Sequence, residues 1–262
     1  MAAFFDRLRA GARERDSLLC IGLDPDPDQV PGGIAGAVRH CTGVVRRTAD
    51  LACCYKPNSA FWEQYGVDGW KGLAEVRDAI PPELPVIFDA KRADIGSSMA
   101  AYARAAFEQL RMDAITVHAY HGHDSLAAVA KFSERGVFVV CRTSNPGAED
   151  LQELSTRNGP VYLEVAALAA RVGAQADVGL VVGATAPDQV ARVRQAAPQL
   201  PFLLPGVGAQ GGDLEASVRA AWNGDPASCI VSVTRGILYA DDAEAAARDY
   251  RNRIRQLVTA TA

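Results

Sequence analysis

The chain has 262 residues, 49% hydrophobic and 22% charged, a mixture that fits a folded globular protein and excludes a disordered, fibrous or membrane-embedded one. A formal net charge of -4 leaves no basic field for holding a polynucleotide backbone, so DNA and RNA are poor partners and any phosphate has to be gripped locally. No stretch reaches the roughly 18 consecutive apolar residues of a membrane span, and the opening MAAFFDRLRAGARERDS mixes both charge signs without the apolar core of a secretory signal, which predicts a cytoplasmic protein.

In chain order, short apolar runs predict strands at 18–23 (LLCIGL), 51–55 (LACCY), 85–90 (PVIFDA) and 113–118 (DAITVH). Four more follow at 136–142 (GVFVVCR), 178–183 (VGLVVG), 201–206 (PFLLPG) and 228–234 (SCIVSVT), with helical stretches such as 97–111 and 124–134 between runs. Near-continuous Val, Ile and Leu runs alternating with helices are the mark of a parallel sheet covered on its faces. Eight such repeats in a chain near the roughly 250 residues of a β/α barrel predict a single (β/α)8 TIM barrel over residues 1–262. The rival, a doubly wound open sheet, lacks its G-x-G-x-x-G after the first strand. Six cysteines without C-x-x-C spacing, several inside apolar runs, read as buried reduced thiols.

In this architecture chemistry gathers at the C-terminal ends of the strands. There the first run ends in Asp24, the second in Lys56, and the third in Asp89 and Lys91 with Asp94 behind, so five ionisable groups are expected at one mouth. Asp89 and Lys91 stand two apart on a strand and share a face. A single Asp–Lys pair would read as a structural plug, but convergence from three strand ends points to a catalytic site. The seventh run leads into PGVGAQGGD (205–213) with Gln210, and the eighth ends at Thr234, Arg235 and Gly236. Glycines expose backbone N–H groups and an arginine offers a planar fork, so these two loops together form an expected phosphate cradle.

The run FDAKRADIGSS (88–98) resembles the D-x-K-x-x-D signature of the orotidine 5′-phosphate decarboxylases, in the form of their bacterial second group. IGLDPDP (21–27), YKPNSAFWEQYG (55–66), TVHAYHG (116–122), TSNPG (143–147), PGVGAQGGD and SVTRGI (232–237) support it in the right order across the whole barrel. The resemblance implies decarboxylation of orotidine 5′-monophosphate (OMP) to UMP without a cofactor or metal, by a homodimer. It implies Lys56, Asp89, Lys91 and Asp94 as the charged catalytic network, with Lys91 the proton donor and Asp94, together with Ser98, entering the partner's site. Asp24 and Lys56 would hold ribose hydroxyls, Ser144 the pyrimidine, and Gln210, Arg235 and Gly236 the phosphate. Two positions depart from the pattern: Ser98 replaces the usual threonine, and Ala93 the usual glycine.

Metal-dependent sugar-phosphate decarboxylases and aldolases of related design share a D-x-K-x-x-D run, but by resemblance they carry an acidic metal ligand at the second strand end, where this chain has Lys56. A barrel that binds nucleotide without turnover is expected to lack one charged member, and none is missing. His118, His121 and His123 are a conceivable zinc trio without carboxylate or cysteine at ligand spacing, and no G-x-S-x-G marks a nucleophilic serine.

Overall fold

Apolar runs too short for helices pair side by side, and the longer amphipathic stretches between them pack around the outside. The computed structural model describes residues 3–207 and 212–259. Its strands are β1 (Leu19–Gly22), β2 (Cys54–Lys56), β3 (Ile87–Arg92), β4 (Ala114–His118), β5 (Gly136–Arg142), β6 (Val178–Val182), β7 (Phe202–Leu204) and β8 (Cys229–Val233). Among the described residues these form one sheet in the order β2-β1-β8-β7-β6-β5-β4-β3, with every neighbouring pair parallel. The end strands β2 and β3 meet through two isolated bridges, in which Tyr55 N–H donates to Pro85 O (3.0 Å) and Asp89 N–H to Pro57 O (2.9 Å). The sheet closes on itself as the predicted TIM barrel.

Each strand falls on one of the eight predicted runs, shifted by up to three residues. The largest shift is at β2, because the amides of Leu51 and Ala52 return to Thr48 O (2.9 and 3.2 Å) and prolong the preceding helix end. The outer layer comprises α1 (Phe4–Glu14), α2 (Gly33–Thr48), α3 (Ser59–Glu63), α4 (Val67–Ala79), α5 (Gly96–Arg104), α6 (His123–Ala130), α7 (Val161–Gly173), α8 (Pro187–Ala196), α9 (Leu214–Ala221), α10 (Arg235–Leu238) and α11 (Ala243–Thr259). The stretch predicted as helix over 97–111 is α5 continued by a π-helical turn at Ala105–Gln109, and that over 124–134 shortens to α6. A small hairpin pairing Ser155–Thr156 with Gly159–Pro160 was not legible from the pattern. All six cysteines are free and buried, as the sequence suggests.

Helix α1 closes the end of the barrel where the strands begin. Phe4 and Phe5 meet Phe138 of β5 edge to face, with ring centroids 6.0 and 5.6 Å apart, the arrangement aromatic quadrupoles favour. Gly136 makes this possible, since a Cβ there would lie 2.4 Å from the Phe4 ring. Close by, buried Asp113 accepts from Val86 N–H (2.9 Å), Arg7 (2.7 Å) and Arg77 (3.2 Å), with Arg135 at 3.6 Å. One carboxylate thus ties α1 and α4 to the strand starts.

Removing a buried, multiply bonded carboxylate strands its partners without a counter-charge. Asp113→Ala is expected to lower the unfolding free energy by about 3 kcal/mol in urea denaturation. A loss under about 0.5 kcal/mol, the size of an exposed ion pair, would mean that water replaces the carboxylate for the arginines.

Candidate active site

At the opposite end, the strand termini surround a cavity of about 670 Å³, the size of a small-molecule site. Asp24, Lys56, Asp89, Lys91, Ser144 and Arg235 all line it. Its floor is set by register: Gly22 of β1 pairs with Lys56 of β2, which turns the lysine inward beside Asp89.

Asp89 is the hub. Its Oδ2 accepts from Lys56 Nζ (2.9 Å) and more distantly from Asn58 Nδ2 (3.4 Å), while Oδ1 accepts from Lys91 Nζ (2.6 Å) and Thr116 Oγ1 (2.9 Å). Lys56 and Asp89 are 4% and 7% exposed, so neither charge survives there without the other. Burial alone would push the Asp89 carboxyl up, but Lys56 and Lys91 outweigh it and hold it well below its ordinary value. For Lys56, burial would lower the pKa, and Asp89 with Asp24 reverse this and raise it. Asp24 ends on the other side of the balance: burial raises it beyond what Lys56 and the Asn58 amide (2.8 Å) recover.

Lys91 reaches Asp89 by a less regular route than strand alternation. The pairing of β3 with β4 shifts register between Phe88 and Arg92, and Lys91 adopts φ +47°, a left-handed conformation that costs a non-glycine residue on the order of 1 kcal/mol. Lys91 N–H donates to Thr116 Oγ1 (2.9 Å), whose hydroxyl in turn donates to Asp89. One threonine therefore fixes both members of the outer ion pair. Lys91 keeps 40% of its side chain exposed, facing the cavity while Lys56 is sealed beneath.

The mouth holds four of the five expected ionisable groups. Asp94 does not line the cavity: β3 has ended at Arg92, and the Asp94 carboxylate accepts from Ile95 N–H (2.7 Å) while its carbonyl accepts from Ser125 Oγ (2.7 Å). Within one chain the Lys91 ammonium is thus paired with Asp89. Ser98, in the first turn of α5, and Gly236, against the Tyr250 ring, also lie outside the cavity lining. Gln210 lies outside the described residues. Ser144 is brought in by a close approach to Gly183, where a Cβ would stand 2.7 Å from Ser144 N, and by Gln152, which bonds both the amide and the hydroxyl of Thr143 (2.8 Å each).

Asn58, Thr116 and Tyr239 enter the site without having been singled out, and Thr234, named only with the phosphate loop, reaches Asp24 instead. Two were signalled: Asn58 caps α3 by accepting from Ala60 N–H (3.1 Å), the role its place before a helix suggests, and Thr116 is a polar residue on the inward face shared with Ala114 and His118. His118 also lines the cavity, where burial and then Lys91 lower its pKa. Among the described residues no three metal-ligating side chains converge.

Comparison with known proteins places this geometry among relatives. Residues 17–250 match the family model described as Orotidine 5'-phosphate decarboxylase / HUMPS family. The chain is 48% identical to the orotidine 5'-phosphate decarboxylase of Thermomicrobium roseum, over 97% of this chain and 96% of the relative. It is 46% identical to the protein of the same name from Herpetosiphon aurantiacus, over 90% of each. Among solved structures, the OMP decarboxylase of Leishmania donovani superposes with a TM-score of 0.92 at 41% identity, covering 98% of this chain and 100% of the other.

The two buried carboxylates of the cavity, Asp89 and Asp24, act on stability in opposite directions. Asp89 is held below its ordinary 3.8, so its ionised form stabilises the fold above that value, and the gain is lost as pH falls through the depressed one. Asp24 is held above 3.8, so the fold is penalised for ionising it at neutral pH, and the penalty vanishes as pH falls back to 3.8. At pH 7, Asp89→Asn is expected to lower the unfolding free energy by about 3 kcal/mol, whereas Asp24→Asn raises it. Denaturation curves at neutral and acidic pH check the pair, and a destabilised Asp24→Asn protein at pH 7 contradicts the assignment.

Proposed function

The chain belongs to the orotidine 5′-phosphate decarboxylase / HUMPS family, and from that premise we propose that it is a carboxy-lyase converting OMP to UMP and CO₂, as a single-domain barrel working in cytoplasmic pyrimidine biosynthesis. The observation that carries the reading is the Lys56–Asp89–Lys91 chain of ion pairs on the cavity floor, with the outer ammonium open to a ligand.

The C6–carboxylate bond breaks heterolytically, CO₂ departs, and the electron pair stays in an in-plane orbital on C6 that no carbonyl can delocalise. Such a carbanion needs a fixed positive charge beside it. The Lys91 ammonium is held in place by Asp89 and by the strained turn at its own backbone, so little reorganisation accompanies the reaction. It then transfers a proton to C6, giving UMP, and is reprotonated from solvent. Asp89 lies against the substrate carboxylate, and their repulsion relaxes as CO₂ leaves. Asp24 and Lys56 hold the ribose hydroxyls and Ser144 the pyrimidine. Gln210, Arg235 and the Gly236 amide take the phosphate.

No cofactor is required by this chemistry, and a buried ammonium where metal-dependent relatives carry an acidic ligand disfavours a divalent ion. Two features support a homodimer with Asp94 and Ser98 serving the partner's site. Both lie outside their own chain's cavity lining, and the neighbouring Ile95 is 61% exposed.

Purified protein is expected to consume OMP in an absorbance assay equally well with and without a chelator, and Lys91→Ala to lower kcat by roughly 10³-fold or more. Full turnover by Lys91→Ala, or abolition by chelator, would end the electrostatic account. Sharing of the site has its own test: mixing inactive Lys91→Ala and Asp94→Ala proteins is expected to restore about a quarter of wild-type activity, because half the re-paired dimers carry one intact site of two. No recovery after exchange of subunits would place Asp94 elsewhere.

A further inference from the structure

Tyr239 follows the last residue of α10 and has no part in the chemistry above, yet its hydroxyl joins two loops assigned to different parts of the substrate. It donates to Asp24 O (2.7 Å) and accepts from Asp26 N–H (2.9 Å), so it spans the turn that follows β1. Helix α10 begins at Arg235, so a single short element carries the phosphate-facing cation at one end and this phenol just past the other. Burial pushes Tyr239 up to about 12, and the phenol remains a donor at neutral pH.

A second strut runs beside the first. Thr234 Oγ1 donates to Asp24 Oδ2 (3.3 Å), an approach open only because Gly22 has no Cβ, which would sit 1.9 Å from that hydroxyl. His40 supports the junction from behind, its Nε2 bonding Leu238 O (2.7 Å) and its ring stacking on Tyr239. Asp24 is therefore held from the β2 side by Asn58 and from the β8 side by Thr234 and Tyr239.

We propose that Tyr239 is a positioning residue that couples the grip on the substrate phosphate to the placement of Asp24, and through Asp24 to the sugar. The inference rests on the decarboxylase reading and goes beyond it. An anion bound at Arg235 orders α10, and an ordered α10 fixes the β1 turn only through rigid connectors between them. With the hydroxyl gone, phosphate binding still orders α10 but no longer reaches Asp24. With the phosphate gone, the connector has little to transmit, so its loss matters less.

The test compares kcat/KM for OMP and for orotidine, the nucleoside without phosphate, in wild type, Tyr239→Phe and Thr234→Val. Tyr239→Phe keeps the ring and its stacking and removes both hydrogen bonds. Coupling predicts that it lowers kcat/KM for the nucleotide by about 10- to 100-fold and for the nucleoside by a factor at least about five times smaller. Thr234→Val shows the same asymmetry, and it decides alone if Tyr239→Phe fails to fold in a circular-dichroism melt. Equal factors for the two substrates mean that Tyr239 only props the structure, which overturns the coupling and leaves the decarboxylase reading standing. Wild-type protein that turns over neither substrate overturns both.

Discussion

Two ammonium groups of like charge stand on the floor of one cavity because a single buried carboxylate lies between them. Asp89 spends one oxygen mainly on Lys56 and the other on Lys91 and Thr116. The arrangement separates the two cations by environment: Lys56 is sealed in the protein, where its partners keep it charged, and Lys91 meets the cavity. Register, bulge and hydroxyl all act to keep that division. A lysine alone at the rim would be an ordinary solvated cation, whereas one pinned against a buried anion is a fixed point charge of the kind that stabilises developing negative charge.

The two ends of the barrel differ in how their polar groups are treated. Where the strands begin, aromatic rings interlock and Asp113 has a partner for each oxygen, the pattern of a region selected for stability. Where the strands end, Lys91 sits in a strained backbone conformation and Asp24 stays buried at a cost in its ionised form. These are deviations that a fold tolerates when they hold a site ready for a ligand.

Much of this was legible in the sequence because the relevant signals are local. Eight apolar runs separated by helical stretches specify the barrel, and the barrel rule then directs attention to Asp24, Lys56, Asp89, Lys91 and Arg235. Ser144 and the loops around it followed from resemblance. The misses have physical causes. Asp94, expected at the mouth beside Asp89 and Lys91, stays outside its own chain's cavity because β3 ends before it and its carboxylate turns to the Ile95 amide, a position that leaves its expected place in a partner's site untouched. Thr116, Thr234 and Tyr239 act through contacts between segments distant in sequence, such as Tyr239 with Asp24 across 215 residues. No window along the chain contains such a pair. The start of β2 was misjudged because Leu51 and Ala52 are as apolar as a strand yet complete a helical turn.

Ring closure in this barrel is uneven. Among the described residues, seven of the joints between strands are paired as ladders, two of them with a register shift, while β2 and β3 are joined only by the isolated bridges Tyr55–Val86 and Asn58–Asp89. That thin seam runs between the strands that bear Lys56 and Asp89, so their 2.9 Å ion pair crosses it as a side-chain clasp. Closure of the cylinder and formation of the Lys56–Asp89 pair are coupled by that placement: the pair spans the seam where the backbone ladder is thinnest, and its two residues stand on opposite sides of it.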